Sequence, residues 1–270
     1  MTTSAPTPDM TTIKKFHLRA WSAGDYRPLG AMMLPVAEHL CDRLELHSGV
    51  RVLDVATGTG NAALAAARRG CEVVGVDFAP RQLELARARA ESEGLTAAFV
   101  EGDAEALPVP DASFDVVVSV FGAMFAPDQV RTARELLRAC RPGGKVAMAN
   151  WTFDLAAFFG VVATYAPPPE GLEPPLRWGT RDGVEELLGV GVESLEMDVR
   201  HVVEHYDSPD AFAEFYCTRF GPIVAVLEAL DDDGRTALRH DLVALAESHR
   251  AGGGVAAEFE YLEVVAQRAS

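Results

Sequence analysis

The sequence predicts an α/β fold, a doubly wound and mostly parallel sheet, on three observations. Between Val50 and Asn150 short apolar runs alternate with helical patterns; the helical patterns end in Gly or Pro stop signals; and one strand runs into a glycine-bearing turn that opens a helix. The chain has 270 residues, 49% of them hydrophobic and 24% charged, the balance of a protein with a sizeable core. Single cores stop growing at roughly 250 to 300 residues, so one core with a lid is the expected organisation.

The predicted strands are Val50 to Val55, Glu72 to Val76, Ala97 to Glu101, Asp115 to Val120 and Lys145 to Asn150. Between them, helices are expected over Asn61 to Arg69, Pro80 to Glu93 and Pro127 to Cys140, two of them opening on a proline whose missing N–H costs nothing there. Gly70, Gly94 and the turn Pro142-Gly143-Gly144 supply their stops. Ahead of this core, Thr12 to Leu46 reads as one or two helices broken around Gly24 and Pro28, and Met1 to Thr12 as a frayed start. Behind it, Pro167-Pro168-Pro169 and Pro174-Pro175 mark a loop. Glu193 to Glu204 alternates as a strand, Ser208 to His249 is helical with breaks at Gly221-Pro222 and Asp231 to Gly234, and Val255 to Gln267 is a final strand. The domains expected are a helical lid over 1–47, the sheet domain over 48–206 and 254–270, and a helical insert over 207–253.

A net charge of -16 repels phosphate backbones and anionic lipid, which argues against nucleic acid and membrane as partners. No apolar run approaches the roughly 18 residues of a membrane span, and the start lacks the pattern of a secretory signal. Cys41, Cys71, Cys140 and Cys217 form no CxxC pair, so neither zinc nor a disulfide framework is expected, and a reducing cytoplasm fits. Asp231-Asp232-Asp233 before Gly234 reads as a helix cap or solvated turn, and no metal is expected.

The densest signal is Val52-Leu53-Asp54-Val55-Ala56-Thr57-Gly58-Thr59-Gly60-Asn61, a strand, a turn and the start of a helix. Glycines let backbone approach a ligand closely, and a helix N-terminus offers free N–H groups. Asp77 ends the second strand 19 residues after Gly58, where a carboxylate accepts bonds from both ribose hydroxyls, and Phe78 follows to cover a base. That pair serves a dinucleotide or another adenosine cofactor equally. Asp54, an acid before the glycines that a pyrophosphate would dislike, and Gly102-Asp103-Ala104 after the third strand separate the two. The plainer alternatives are that Asp54 caps the next turn and that Asp77 and Asp103 are solvated loop acids.

On these residues the stretch from Trp21 to Trp151 resembles the class I S-adenosylmethionine-dependent methyltransferases, in the branch related to ubiquinone and menaquinone biosynthesis. Glu105-Ala106-Leu107-Pro108, Ser113-Phe114-Asp115-Val116-Val117-Val118 and Leu137-Arg138-Ala139-Cys140-Arg141-Pro142-Gly143-Gly144 carry the resemblance further. It implies a Rossmann-like sheet with an antiparallel last strand and a helical lid, and S-adenosyl-L-methionine as cofactor with S-adenosyl-L-homocysteine as product. It also implies roles. Asp54, Ala56, Thr57, Gly58 and Gly60 would wrap the methionine end, Asp77 would hold the ribose, Asp103 and Ala104 would read the adenine, and Phe78 and Leu83 would flank it. Tyr26 and Ser119 belong to the same cofactor set. Ala56 departs from the family, which commonly has Gly there, so slightly different packing is expected.

Methyl transfer needs alignment and dryness more than acid-base chemistry. More than half of the chain's aromatic residues lie between Trp151 and Phe220, including Phe158, Phe159, Phe212, Phe215 and Tyr216, which suggests a small apolar or aromatic acceptor; the plainer reading is core filling. His205, at the end of the Glu193 to Glu204 strand, is the candidate base, with a structural histidine as the alternative. Phe121-Gly122-Ala123-Met124 stands where amino-directed nucleic-acid methyltransferases carry Asn/Asp-Pro-Pro-aromatic, which argues against base methylation. A dinucleotide oxidoreductase reading Gly58-x-Gly60-x-x-Ala63, and a cofactor binder with another or no activity, are the competing readings.

Overall fold

The computed structural model describes residues 9–270. The expectation for Met1 to Pro8 lies outside the described residues. From Met10 the chain is already helical rather than frayed, because Asp9 accepts hydrogen bonds from the N–H groups of Thr11 and Thr12 at the first turn.

Helix α1 (Met10–Ser22) and helix α2 (Tyr26–Arg43) meet at Gly24, whose φ of 76° sharpens the break. Pro28 falls in the first turn of α2 behind the N-cap Asp25, where no intrahelical N–H is needed, so it opens the helix and does not break it. The sheet domain follows as β1 (Arg51–Val55), α3 (Asn61–Arg68), β2 (Glu72–Asp77), α4 (Pro80–Glu93), β3 (Ala98–Glu101), β4 (Phe114–Val120), α5 (Gln129–Ala139) and β5 (Cys140–Trp151). Pro80 opens α4 as expected, whereas α5 starts beyond Pro127, capped by Asp128. The Pro142-Gly143-Gly144 stop lies inside β5, as an irregularity between the pairs Phe114↔Cys140 and Val116↔Lys145.

Two helices were not anticipated: α6 (Ala156–Tyr165) and α7 (Arg181–Leu188). Strand β6 (Val192–Tyr206) then leads into α8 (Pro209–Arg219), α9 (Gly221–Ala229) and α10 (Asp232–Glu247), and the short β7 (Arg250–Ala251) precedes β8 (Gly254–Arg268). The breaks at Gly221 and Asp231 fall where expected. Asp231 caps α10 through the Gly234 N–H at 2.9 Å, which gives the acidic run a structural role.

The sheet runs β3-β2-β1-β4-β5-β8-β6. Strands β1 to β5 are parallel, and β8 is antiparallel to both β5 and β6, so β6 points the same way as the parallel strands. Val116 and Val118 pack on one face with Leu40, Leu64 and Val52, while Val117 packs on the other with Leu53, Leu136 and Met148. Continuous apolar runs are what a sheet buried on both sides requires. The carboxyl ends of β1, β2, β4 and β5 thus finish along one edge, where open α/β sheets hold their ligands.

Candidate cofactor and acceptor site

Along that edge opens one large cavity. Nine of the residues expected to touch the cofactor line it: Tyr26, Asp54, Ala56, Thr57, Gly58, Asp77, Phe78, Asp103 and Ala104. Asp54 is buried at the end of β1, and its Oδ2 accepts from the Thr57 hydroxyl at 2.6 Å and the Ala63 N–H at 2.9 Å. Its Oδ1 has no protein donor among the described residues. Burial pushes the Asp54 carboxyl up to about 7, against the pull of those two bonds. The Ala63 amide is one of the free donors at the N-terminus of α3. Asp54 consumes it, so a carboxylate oxygen already occupies a donor that a pyrophosphate would need.

Asp77 is equally built in. The Gly58 N–H donates to one oxygen at 2.8 Å and the Ala79 N–H to the other at 2.9 Å. Burial raises its carboxyl to about 6 despite them. Each carboxylate oxygen has a second lone pair, so two ribose hydroxyls still fit. Asp103 holds its own turn through the Glu105 N–H at 2.9 Å and meets Lys14 Nζ at 2.6 Å; Lys14 also pairs with Glu105. Helix α1 thereby reaches across the site proposed for adenine.

Ala56 adopts φ 53°, a left-handed conformation that favours glycine, and Gly122 makes room for its methyl. A Cβ on Gly122 would lie 2.6 Å from Ala56 Cβ and 2.5 Å from its carbonyl oxygen. Phe121, at φ 54°, stacks on Trp151 with ring centroids 3.7 Å apart and an interplanar angle of 2°. Both strained residues line the cavity.

Four expected site residues fall outside the lining. Gly60 is a packing glycine and the N-cap of α3: at φ 85°, a Cβ would sit 3.2 Å from Ala86 Cβ. Leu83 turns into the core beside Ala86 and Phe99. Ser119 braces two strand ends, donating to the Val55 carbonyl at 2.8 Å and accepting from the Ala123 N–H at 2.9 Å. His205 is exposed, one residue away from the buried Glu204 that does line the cavity, so its placement gives no support to a role as base. Along a strand alternate side chains take opposite faces, and the candidate lay on the wrong one.

Sequence reasoning missed Lys14, Gln82, Phe125, Glu204 and Phe259 in the lining, where Trp21 and Phe220 also lie. Gln82 donates to the Trp21 carbonyl at 2.8 Å and leaves its own Oε1 buried without a partner. Its signal was available: a polar residue on the buried face of α4. Trp21 packs against Phe125 at 4.9 Å, Phe220 at 5.9 Å and Tyr26 at 6.0 Å, closing the cavity from above the strand ends. Among the described residues there is no cluster of His, Cys, Asp and Glu that could hold a metal ion, and no helix long and apolar enough to cross a membrane.

Fold and cavity together define an α/β protein with a ligand-sized cavity at the carboxyl ends of its parallel strands. The family described as "Methyltransferase domain" matches residues 52–144. An uncharacterised protein of Mycobacterium tuberculosis is 36% identical over 278 residues, 99% of this chain and 100% of that one. The demethylmenaquinone methyltransferase of Thermus thermophilus is 44% identical over 123 residues, 45% of this chain and 50% of the enzyme. In fold, the YcgJ protein of Bacillus subtilis superposes with a TM-score of 0.61 at 18% identity, covering 87% of this chain and 99% of that chain. Residues 52–144 thus carry a methyltransferase domain, on a Rossmann-like methyltransferase fold.

Proposed function

We propose that the protein transfers the methyl group of S-adenosylmethionine to a small, largely apolar or aromatic organic acceptor. The observation that carries this reading is Asp54, a buried carboxylate with one oxygen unengaged, set against the N-terminus of α3 and sharing a cavity with Asp77, Asp103 and a wall of aromatic rings. The residues fit the cofactor. Asp54 would meet its ammonium, Asp77 the ribose hydroxyls, Asp103 and Ala104 the adenine edge, and Phe78 a face of the base. When bound, the cofactor supplies an electrophilic methyl on sulfur.

The chain's own work is then to orient and to dry. Trp21, Tyr26 and Phe220 cover the strand ends, and Phe158, Trp151 and Phe259 form the apolar part of the cavity in which an acceptor would be aligned. Residues 10–43 and the insert from Pro209 to Glu247 are the lid in this reading. All four cysteines are unpaired, three of them buried, which supports a reducing compartment such as the cytoplasm.

Calorimetry with S-adenosylhomocysteine and with NAD tests the cofactor, and cell extract incubated with methyl-labelled S-adenosylmethionine, followed by mass identification of the product, tests transfer. Binding of the first and not the second, with label appearing in a small organic product, is the expected outcome. Tight NAD binding without adenosylhomocysteine binding overturns it.

A further inference from the structure

Glu204 is the one carboxylate of the cavity that the cofactor reading does not use. It sits near the carboxyl end of β6, opposite Ala257 of β8, and β6 lies four strand spacings from β1 along the sheet order β1-β4-β5-β8-β6. At roughly 4.8 Å per strand that is about 19 Å from Asp54 measured along the sheet. The pairing of β6 with β8 also continues past Arg200↔Tyr261, the level at which β5 ends against β8, so Glu204 stands beyond the edge where the cofactor loops lie. It belongs to the acceptor's end of the cavity.

Its surroundings are specific. The Tyr206 hydroxyl donates to Oε2 at 2.6 Å and the Tyr216 hydroxyl donates to the same oxygen at 2.8 Å. Oε1 receives no protein donor among the described residues, although Glu204 is only 2% exposed and lines the cavity. No Arg, Lys or His pairs with it among those residues. Tyr216 packs on Phe158 at 4.7 Å and Phe220 at 5.9 Å, and Phe259 shares the lining. Two fixed hydroxyls hold the carboxylate in place and leave its second oxygen to a ligand.

We propose that Glu204 is the specificity-determining anchor for the acceptor, pairing through Oε1 with a protonated amino group carried on an aromatic or apolar body. This rests on the methyltransferase reading and adds the acceptor's class to it. A buried carboxylate without a cation is costly, and a cationic ligand removes that cost, whereas a neutral alcohol supplies only a hydrogen bond. The ring faces around Tyr216 favour an ammonium further. Elsewhere in the cavity Lys14 is engaged by Asp103 and Glu105, so it does not compete for Glu204.

The test uses the full chain saturated with S-adenosylhomocysteine and three isosteric probes: tryptamine, tryptophol and indole-3-propionate. Calorimetry should show tryptamine at least tenfold tighter than tryptophol, and indole-3-propionate weakest, since it places a second anion against Glu204. Tryptamine affinity should fall as pH drops and Glu204 takes up a proton. The titratable groups facing it are Tyr206 on its own strand and Tyr216 on α8; burial raises its proton affinity while their hydroxyls lower it. Glu204→Gln should abolish the preference for amine over alcohol and leave adenosylhomocysteine affinity within twofold. Should that variant fail to fold, Tyr216→Phe, which removes one bond to the carboxylate, should move the midpoint of tryptamine binding to higher pH. Tryptophol binding as tightly as tryptamine, no binding of either, or an unchanged preference in Glu204→Gln overturns the proposal. Failure of the native protein to bind adenosylhomocysteine strikes the methyltransferase reading instead.

Discussion

At the scale of single residues, the cofactor end of the site is dominated by two carboxylates that the fold keeps out of water. Burial raises Asp54 to about 7 and Asp77 to about 6. A carboxyl whose folded pKa lies above its unfolded value stabilises the fold fully below the unfolded pKa and loses that contribution as pH rises through the folded one. The empty protein should therefore lose stability from these two groups between about pH 4 and pH 7, while an ammonium-bearing ligand, which needs the charged form of Asp54, should bind better over the same window. Thermal melting with and without adenosylhomocysteine should show a ligand-induced shift that widens as pH rises through about 7. Asp54→Asn should weaken adenosylhomocysteine by about tenfold or more, the value of one charge-assisted bond of about 1.5–3 kcal/mol, and flatten that pH dependence. An unchanged profile in Asp54→Asn assigns the ammonium contact elsewhere. Ala56 offers a second residue-scale test. Its left-handed backbone costs about 1–2 kcal/mol, and glycine would relieve this while adding unfolded-state entropy worth about 0.5–1 kcal/mol. Urea unfolding should place Ala56→Gly within about 1 kcal/mol of the native chain. Gly122→Ala, whose new methyl meets the Ala56 carbonyl, should destabilise by about 1–3 kcal/mol and weaken adenosylhomocysteine.

Among the elements, the informative joint lies between α1 and α9. Gly24 and Gly221 read from sequence as breakers, and they are; their tertiary role was invisible. A Cβ on Gly221 would lie 1.9 Å from the Ala20 carbonyl, and one on Gly24 would lie 2.3 Å from the Arg219 carbonyl. The Gly221 N–H donates to the Tyr26 hydroxyl at 2.9 Å, joining the start of α9 to the start of α2. Gly221→Ala should unseat α1 from α9: amide exchange should quicken in α1 and leave β1 and β4 unchanged, and adenosylhomocysteine should bind less tightly because Trp21 and Lys14 lose their support. Exchange in α1 equal to that of the native chain would show the joint to be dispensable. The five parallel strands and their three helices were legible because apolar runs and stop signals are local. Helix α6 was not, since Ala156-Ala157-Phe158-Phe159-Gly160-Val161-Val162-Ala163 is apolar without a helical period, and α7 is only eight residues long. Cavity-lining residues were legible where they lie on one strand-turn-helix unit. Lys14 and Glu204 were not, since each reaches the cavity through packing between distant segments, and the choice between Glu204 and His205 turns on which face of β6 looks inward.

For the molecule as a whole, the cavity has a floor that the sheet fixes and a roof made from two separate stretches of chain. The floor is Asp54, Gly58, Asp77 and the stacked Phe121 and Trp151, all at strand ends within a sheet buried on both faces. The roof is α1 and the start of α2 from one stretch and α8 and α9 from the other. These are tied by the glycine contacts, by the Asp25–Arg219 pair at 3.0 Å and by the Trp21, Tyr26 and Phe220 rings. Arg19–Glu228, at 2.7 Å, is exposed on both sides and adds little. Two segments joined in this way should move as one body. If α1 and the insert were independent lids, cofactor would order the first and acceptor the second. Because they share backbone contacts, adenosylhomocysteine alone, by holding Trp21 and Lys14 over the nucleoside site, should slow amide exchange in α1, in the first turn of α2 and in α8 and α9 together. Protection confined to residues 10–26, with α8 and α9 unchanged, would show that the roof is two lids and that the Gly24–Gly221 joint opens in solution.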